Sequence, residues 1–399
     1  MLVRRLGDAG GSPPPVPVPA LLRGLPSPYF SELVASVRSA AAARPGGVVD
    51  LARGNPEQAP PAHVLRVLSE AAGALEGHGY PPFAGLPELR QAFAAHHERV
   101  FGVRLDPERE VVVVPGTKTA IGLVCIALAQ GSSVIVPDPG YADYPSGVAL
   151  AGARLIPLPL DAAAGWSPVW DSVPAGALNA SPMAFLNYPS NPCGSVARAG
   201  VFGEAVAVAE RSRTALVHDL AYGELAWGPD GSHEHAPASF LAAEGAASVG
   251  VELVSMSKTW SIAGWRIGFV CGNAEIVSRV RSLLDHLTVG VPLFVQRGAI
   301  AALEGPDTSV QQLRSCYRRR AERVAQRLGV PASEGGYYTW LKLPKGLSTG
   351  ALLHDHGVAL APGEGFGAAG SGWARLSVAI GDEQLELGLE RLARAFGLD

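Results

Sequence analysis

Ser255-Met256-Ser257-Lys258 is followed closely by Gly264-Trp265-Arg266-Ile267-Gly268. Two hydroxyls, an amine and a guanidinium therefore converge just beyond an apolar run. A lysine shifts its pKa readily when desolvated, which suits it to Schiff-base chemistry with a carbonyl group. The planar fork of an arginine suits a phosphate. The chain has 32 Lys plus Arg, yet its only lysines are Lys118, Lys258, Lys342 and Lys345. An amine nucleophile must come from that short set. Lys342 and Lys345 fit surface positions around a strand end, which leaves Lys258 and Lys118.

Three more turns follow apolar runs. Gly116-Thr117-Lys118-Thr119 comes after Val111–Val114 and before an apolar helix. Free N–H groups at such a helix start can cradle a phosphate, or the turn can be an ordinary helix cap. Asn187-Tyr188-Pro189-Ser190-Asn191-Pro192-Cys193-Gly194 is stiffened by two prolines, so it can aim Asn191 as a hydrogen-bond donor or serve as a plain turn. Asp219-Leu220-Ala221-Tyr222 puts a carboxylate at the end of a buried strand. That carboxylate needs a positive partner such as a protonated ring nitrogen, unless it caps a helix.

Elements of a definite kind must hold these turns. Val111–Val114, Ser133–Val136, Ala184–Leu186, Ala215–His218 and Leu253–Met256 read as short buried strands without polar alternation, separated by helical patterns. The expected class is α/β, a large doubly wound sheet, mixed or mostly parallel, beside a smaller α+β domain. Ligands in open α/β sheets bind beyond the carboxyl ends of the strands, where all four turns sit. Residues 1–50 read as an N-terminal arm and helix belonging to the small domain, with a proline-rich stretch at 11–28 and a helix from Tyr29 to Ala43. Residues 51–292 read as the large domain and 293–399 as the small one. In the small domain, Arg314–Leu328 and Asp382–Phe396 are helical, and Tyr337–Leu343 and Ala374–Ala379 are strand-like.

Composition removes several function classes. At 399 residues and 48 % hydrophobic, the chain can bury a large core. A net charge of −4 leaves no basic surplus for nucleic acid. No apolar run reaches membrane-spanning length, and the start, Met1–Gly11, lacks an apolar segment typical of a signal. Cys125, Cys193, Cys271 and Cys316 are scattered, which fits neither a disulfide framework nor a zinc site and suits the cytoplasm. No histidine pair has metal-ligand spacing. His96-His97 and the Arg318-Arg319-Arg320 run are expected on solvated faces, and His233 and His235 in a surface loop.

The segment SMSKTWSIAGWRIGFVCG resembles the lysine signature of the class I/II aminotransferases, fold-type I enzymes that use pyridoxal 5'-phosphate. The other three turns occur in that family's order, and the resemblance runs from about Leu51 to Ile380. It implies that Lys258 forms an aldimine with the cofactor and that Asp219 pairs with the pyridine nitrogen. It also implies that Tyr222 and Asn191 contact the ring hydroxyl and that Tyr141 stacks on the ring. Gly116, Thr117, Lys118, Ser255, Ser257 and Arg266 would hold the phosphate. Tyr80 matches a tyrosine that reaches the phosphate of a partner subunit, which implies a homodimer with a shared active site. Arg375 matches the arginine that clamps the substrate α-carboxylate, with Gly54 and Asn191 nearby. Two residues depart from the pattern. Cys193 replaces a threonine, and Arg53 precedes Gly54 where the family has an apolar or small residue. Arg53 either turns outward or faces the substrate side chain to recognise a distal acid or phosphate.

The expected reaction is transfer of an amino group from an amino acid to a 2-oxo acid, each a small molecule. The alternatives are a lyase, γ-replacement enzyme, cyclase or oxidase sharing the same Cα deprotonation, and a non-catalytic regulator domain that senses the cofactor. Between Arg281 and Gln296, where the family places a side-chain selector, Asp285 and His286 are the polar candidates.

Overall fold

A computed structural model of the chain describes residues 19–228 and 238–398. Residues 11–18 of the proline-rich stretch, and His233 and His235, lie outside the described residues. Among those described, eight strands form one sheet. Their order is Val111–Val114, Gly268–Gly272, Gly250–Ser255, Ala215–Leu220, Met183–Asn187, Ser133–Asp138, Arg154–Asp161 and Ser167–Pro168. Gly268–Gly272 runs antiparallel to both neighbours, Ser167–Pro168 is antiparallel at the far edge, and the remaining pairs are parallel. The sheet is thus mixed and mostly parallel.

Successive side chains of a strand point to opposite faces, and both faces of this sheet are covered. Val111 and Val113 enter a core with Leu89, Phe93 and Ala299, whereas Val112 and Val114 enter one with Ile121, Val124 and Val280. A strand buried on both sides has no polar alternation to show, which is why these runs read as continuous apolar sequence.

The smaller body is built on Tyr338–Lys342, Trp373–Ser377 and Ala361–Pro362, under Thr308–Leu328 and Asp382–Phe396. The N-terminal segment packs with it: Val49–Asp50 pairs with Val358–Ala359, and Val37 and Ala40 of helix Tyr29–Ala43 bury against Trp340, Leu353 and Phe366. Packing does not change hands at residue 292. Val295, Ala299 and Ala302 of helix Leu293–Glu304 belong to the large core, and so does Val310. Leu313, Tyr317 and Val324 belong to the small one. The passage between bodies therefore falls within helix Thr308–Leu328.

Two expectations of surface exposure are corrected. His96 and His97 are buried, because the helix Pro87–Phe101 turns this polar stretch onto the sheet. Acids meet them there: His96 Nε2 lies 3.0 Å from Glu224, and His97 Nε2 lies 3.3 Å from Glu252. Arg320 is also buried, paired with Glu57 and with Asp382 at 2.8 Å. In both cases acidic partners, buried beside the histidines and nearer the surface beside Arg320, offset the desolvation that the sequence pattern was read as avoiding. No helix among the described residues is long and apolar enough to cross a membrane.

Candidate active site

The carboxyl ends of the strands open into a cavity of about 450 Å³, walled by the large body on one side and by helix Tyr29–Ala43, the segment 50–55, Tyr338 and Arg375 on the other. Lys258 lies in the short helix Met256–Thr259, directly after the strand Gly250–Ser255, so the strand had been expected to run one residue too far. Ser255 Oγ accepts a hydrogen bond from the Ser257 amide at 3.2 Å and caps that helix. Lys258 Nζ donates to the Gly54 carbonyl at 3.3 Å. Burial lowers the pKa of this amine, and Arg375 and Arg266 add to the effect.

Asp219 lies near the end of Ala215–Leu220, in register with Asn187 and Leu253. Burial raises its carboxyl to about 6, opposed by the hydrogen bond from Tyr144. Tyr144 Oη donates to Oδ2 at 3.1 Å, and the Ala221 amide donates to Oδ1 at 3.2 Å. A buried carboxylate so placed gains most from a cationic partner in the cavity. Asn187 ties the neighbouring loop to the same strand. Its Nδ2 donates to the Asp219 carbonyl at 2.8 Å, and its Oδ1 accepts from the Asn191 amide at 2.8 Å.

At one end of the cavity, Gly116 adopts φ +81° before helix Thr117–Ala129. A Cβ at Gly116 would sit 2.2 Å from Arg266 Nη2. Only glycine leaves the space between that guanidinium and the free amides of the helix start. Thr117, Lys118, Ser255 and Ser257 line the same region. Lys118 is largely exposed, and its Nζ lies 3.0 Å from Asp143.

At the other end, Arg375 is fully buried. Its Nη1 donates to Asn191 Oδ1 at 2.9 Å and its Nη2 to the Ala52 carbonyl at 3.1 Å, while its Nε has no protein partner. A buried guanidinium with no paired carboxylate fits an acidic ligand. Its carbon lies 3.9 Å from the centre of the Tyr338 ring and 5.4 Å from that of Phe30. Tyr222 Oη donates to Tyr338 Oη at 3.4 Å, and Tyr337 Oη donates to the Gly54 carbonyl at 2.9 Å.

The cavity therefore gathers Lys258, Asp219, Tyr222, Tyr141, Asn191, Thr117, Lys118, Ser255, Ser257, Arg266, Arg375, Gly54 and Arg53, with Gly116 beside Arg266. Arg53 stands at the rim, its side chain 65 % exposed and 3.5 Å from Asp50. Tyr80 is 87 % exposed and does not line the cavity of its own chain. Asp285 and His286 are exposed and do not line it either. Sequence reasoning missed Tyr144, Tyr338, Tyr337 and Phe30. The adjacent Tyr337-Tyr338 pair at the start of strand Tyr338–Lys342 was the available signal, and both rings pack against Tyr222.

The donor set suits pyridoxal phosphate: an amine for its aldehyde, a buried carboxylate for its ring nitrogen and a glycine-lined cradle for its phosphate. The family model described as aminotransferase class I and II matches residues 46–392. The chain is 38 % identical over 356 residues to an LL-diaminopimelate aminotransferase of Dehalococcoides mccartyi, covering 87 % of this chain and 90 % of that protein. It is 36 % identical to the L-glutamine–4-(methylsulfanyl)-2-oxobutanoate aminotransferase of Bacillus subtilis, covering 94 % and 95 %. Substrate-bound BacF from Bacillus subtilis matches with a TM-score of 0.88 at 33 % identity, covering 95 % and 98 %.

Proposed function

The chain belongs to the class I and II aminotransferases, enzymes that use pyridoxal phosphate to exchange amino groups between amino acids and 2-oxo acids, and we propose that the residues around Lys258 divide that work among them. The observation that carries this assignment is the one cavity in which Lys258 and Asp219 lie between a phosphate cradle and a buried arginine that pairs with no carboxylate among the described residues.

The bound cofactor supplies a ring that accepts the charge left when a Cα proton is removed. Asp219 holds a proton on the ring nitrogen by ion pairing. Tyr222 and Asn191 donate toward the ring hydroxyl, and Tyr141 packs on the ring face. Gly116, Thr117, Lys118, Ser255, Ser257 and Arg266 bind the phosphate. Arg375 receives the substrate α-carboxylate beside Asn191 and the Gly54 backbone, which fixes the bond at Cα that faces Lys258. The Lys258 amine takes the Cα proton and delivers it on the same face. Its lowered pKa keeps a larger share of the amine neutral, as a base requires.

We further propose a homodimer in the cytoplasm, with neither nucleic acid nor membrane as partner. The exposed Tyr80 supports the dimer, as a phosphate ligand offered to a second copy, and the absence of a basic surplus argues against nucleic acid.

Reduction of the holoenzyme with borohydride followed by peptide mass mapping tests the assignment. The cofactor mass should appear on the peptide carrying Lys258. Lys258→Ala should abolish both labelling and turnover. Label on Lys118, or turnover retained in Lys258→Ala, would overturn it.

A further inference from the structure

We infer that the substrate side chain lies against the apolar face of helix Tyr29–Ala43, and that the preferred donors are amino acids with neutral apolar side chains. The inference rests on the proposed role of Arg375 as the carboxylate clamp. Phe30, Leu33, Val34 and Val37 fall at i, i+3, i+4 and i+7 of the helix, one continuous face, and all four line the cavity. The inner end of this face is core: Val37 and Ala40 pack with Trp340 and Phe366. Phe30 and Leu33 border that core only partly buried. Leu33 is half-buried, and Val34 is 46 % exposed although it fronts a cavity. The face begins beside the clamp, since the Phe30 ring lies 5.4 Å from the Arg375 guanidinium carbon. A substrate held by its carboxylate there extends its side chain along these residues.

The charges that would recognise a distal acid or amine are already engaged among the described lining residues. Lys258, Asp219, Arg266 and Arg375 serve the cofactor and the α-carboxylate. Lys118 is paired with Asp143 at 3.0 Å. Arg53, largely in solvent, lies 3.5 Å from Asp50 Oδ2, while Asp50 Oδ1 accepts from the Ala52 amide at 3.1 Å. A second charged group on the substrate would lose water against Leu33 and Val34 without gaining a partner among the described residues of the same chain. Leucine, methionine and phenylalanine exchange water for apolar contact on that face. The substrate class therefore differs from the diaminodicarboxylate named for the LL-diaminopimelate relatives, whose far end carries an ammonium and a carboxylate.

The holoenzyme is titrated with leucine, methionine, phenylalanine, alanine, glutamate and LL-diaminopimelate, following conversion of the bound cofactor to its pyridoxamine form by absorbance and mass. The three apolar donors should exceed glutamate and LL-diaminopimelate in kcat/KM by about tenfold or more. In parallel, calorimetry measures the binding of 4-methylpentanoate and glutarate, unreactive acids without an amine, and the apolar acid should bind tighter. A preference for glutamate, LL-diaminopimelate or glutarate would overturn the inference while leaving the residue roles intact. If no donor converts the cofactor, the residue roles fail, and the two acids still decide whether the face is apolar in function. Leu33→Ser and, at the more exposed position, Val34→Ser should each lower kcat/KM for leucine and phenylalanine by about tenfold while alanine stays within about twofold. An equal loss for alanine and leucine in both variants would remove the helix face from substrate contact.

Discussion

The guanidinium of Arg375 lies 3.9 Å from the centre of the Tyr338 ring, stacked on it rather than paired with a carboxylate. The ring fixes the plane of the fork while leaving its charge unneutralised. The same proximity, with Lys258, holds the Tyr338 phenol below its ordinary pKa against the upward push of burial. Tyr338→Ala should raise KM for amino donors by about tenfold with a smaller change in kcat, because a cation–π contact of this kind contributes about 1–2 kcal/mol. Tyr338→Phe keeps the ring and should stay near wild type. Arg375→Lys keeps the charge but loses the fork, so KM should rise by about a hundredfold or more. Steady-state kinetics on the three variants separates stacking from charge.

Asp219→Asn preserves shape and removes the countercharge. Single-turnover kcat should fall by about a hundredfold or more. Tyr144→Phe removes only the hydrogen bond at 3.1 Å and should produce a milder loss of the same kind. Stopped-flow absorbance of the half-reaction reads both.

Gly116→Ala places a methyl group where Arg266 reaches the helix start, at a backbone angle that L side chains rarely adopt. Cofactor affinity should fall by about tenfold or more while the fold persists. Equilibrium dialysis of pyridoxal phosphate against the apoprotein measures the loss.

Glu252 predicts a pH dependence of stability. Burial pushes its carboxyl up, but the hydrogen bond with His218 and the nearby His97 ring outweigh that push and hold it at about 2, below its ordinary 4.5. A depressed carboxyl stabilises the fold fully above its unfolded value and loses that contribution as pH falls. The apoprotein should therefore lose stability as pH drops from about 4.5 toward 2, the interval between the two values. Glu252→Gln should flatten that interval and cost about 3 kcal/mol near neutrality, by weakening the buried hydrogen bonds that Glu252 makes with His218, Ser239 and the Phe240 amide. Urea melts across the range test both the slope and the offset.

Much of this site was legible because its key residues follow strands. An apolar run that stops at a glycine, a serine or an aspartate announces a strand end: Gly116 and Lys258 each come just after a strand, and Asp219 lies at the last residue but one of another. The strand Arg154–Asp161 was harder to read, because Pro157 and Pro159 interrupt it and only Leu158 is fully buried. Tyr144 and Phe30 were invisible for another reason. Each sits in a helix where its spacing matches ordinary core packing, and only the tertiary approach to Asp219 or Arg375 distinguishes it. His96 and His97 were misread because polar residues on a helix suggest water, and their buried partners Glu224 and Glu252 lie far away in sequence.

The hydrogen bond from Lys258 to the Gly54 carbonyl has a bearing on how the amine reacts. A free lysine samples many rotamers, and arresting them on reaction would cost up to about 1.5–2 kcal/mol in side-chain entropy. Here part of that freedom is lost as the chain folds, because the Gly54 carbonyl holds the amino end across the cavity. The amine is thus held in a narrow set of conformations already facing the space it must reach.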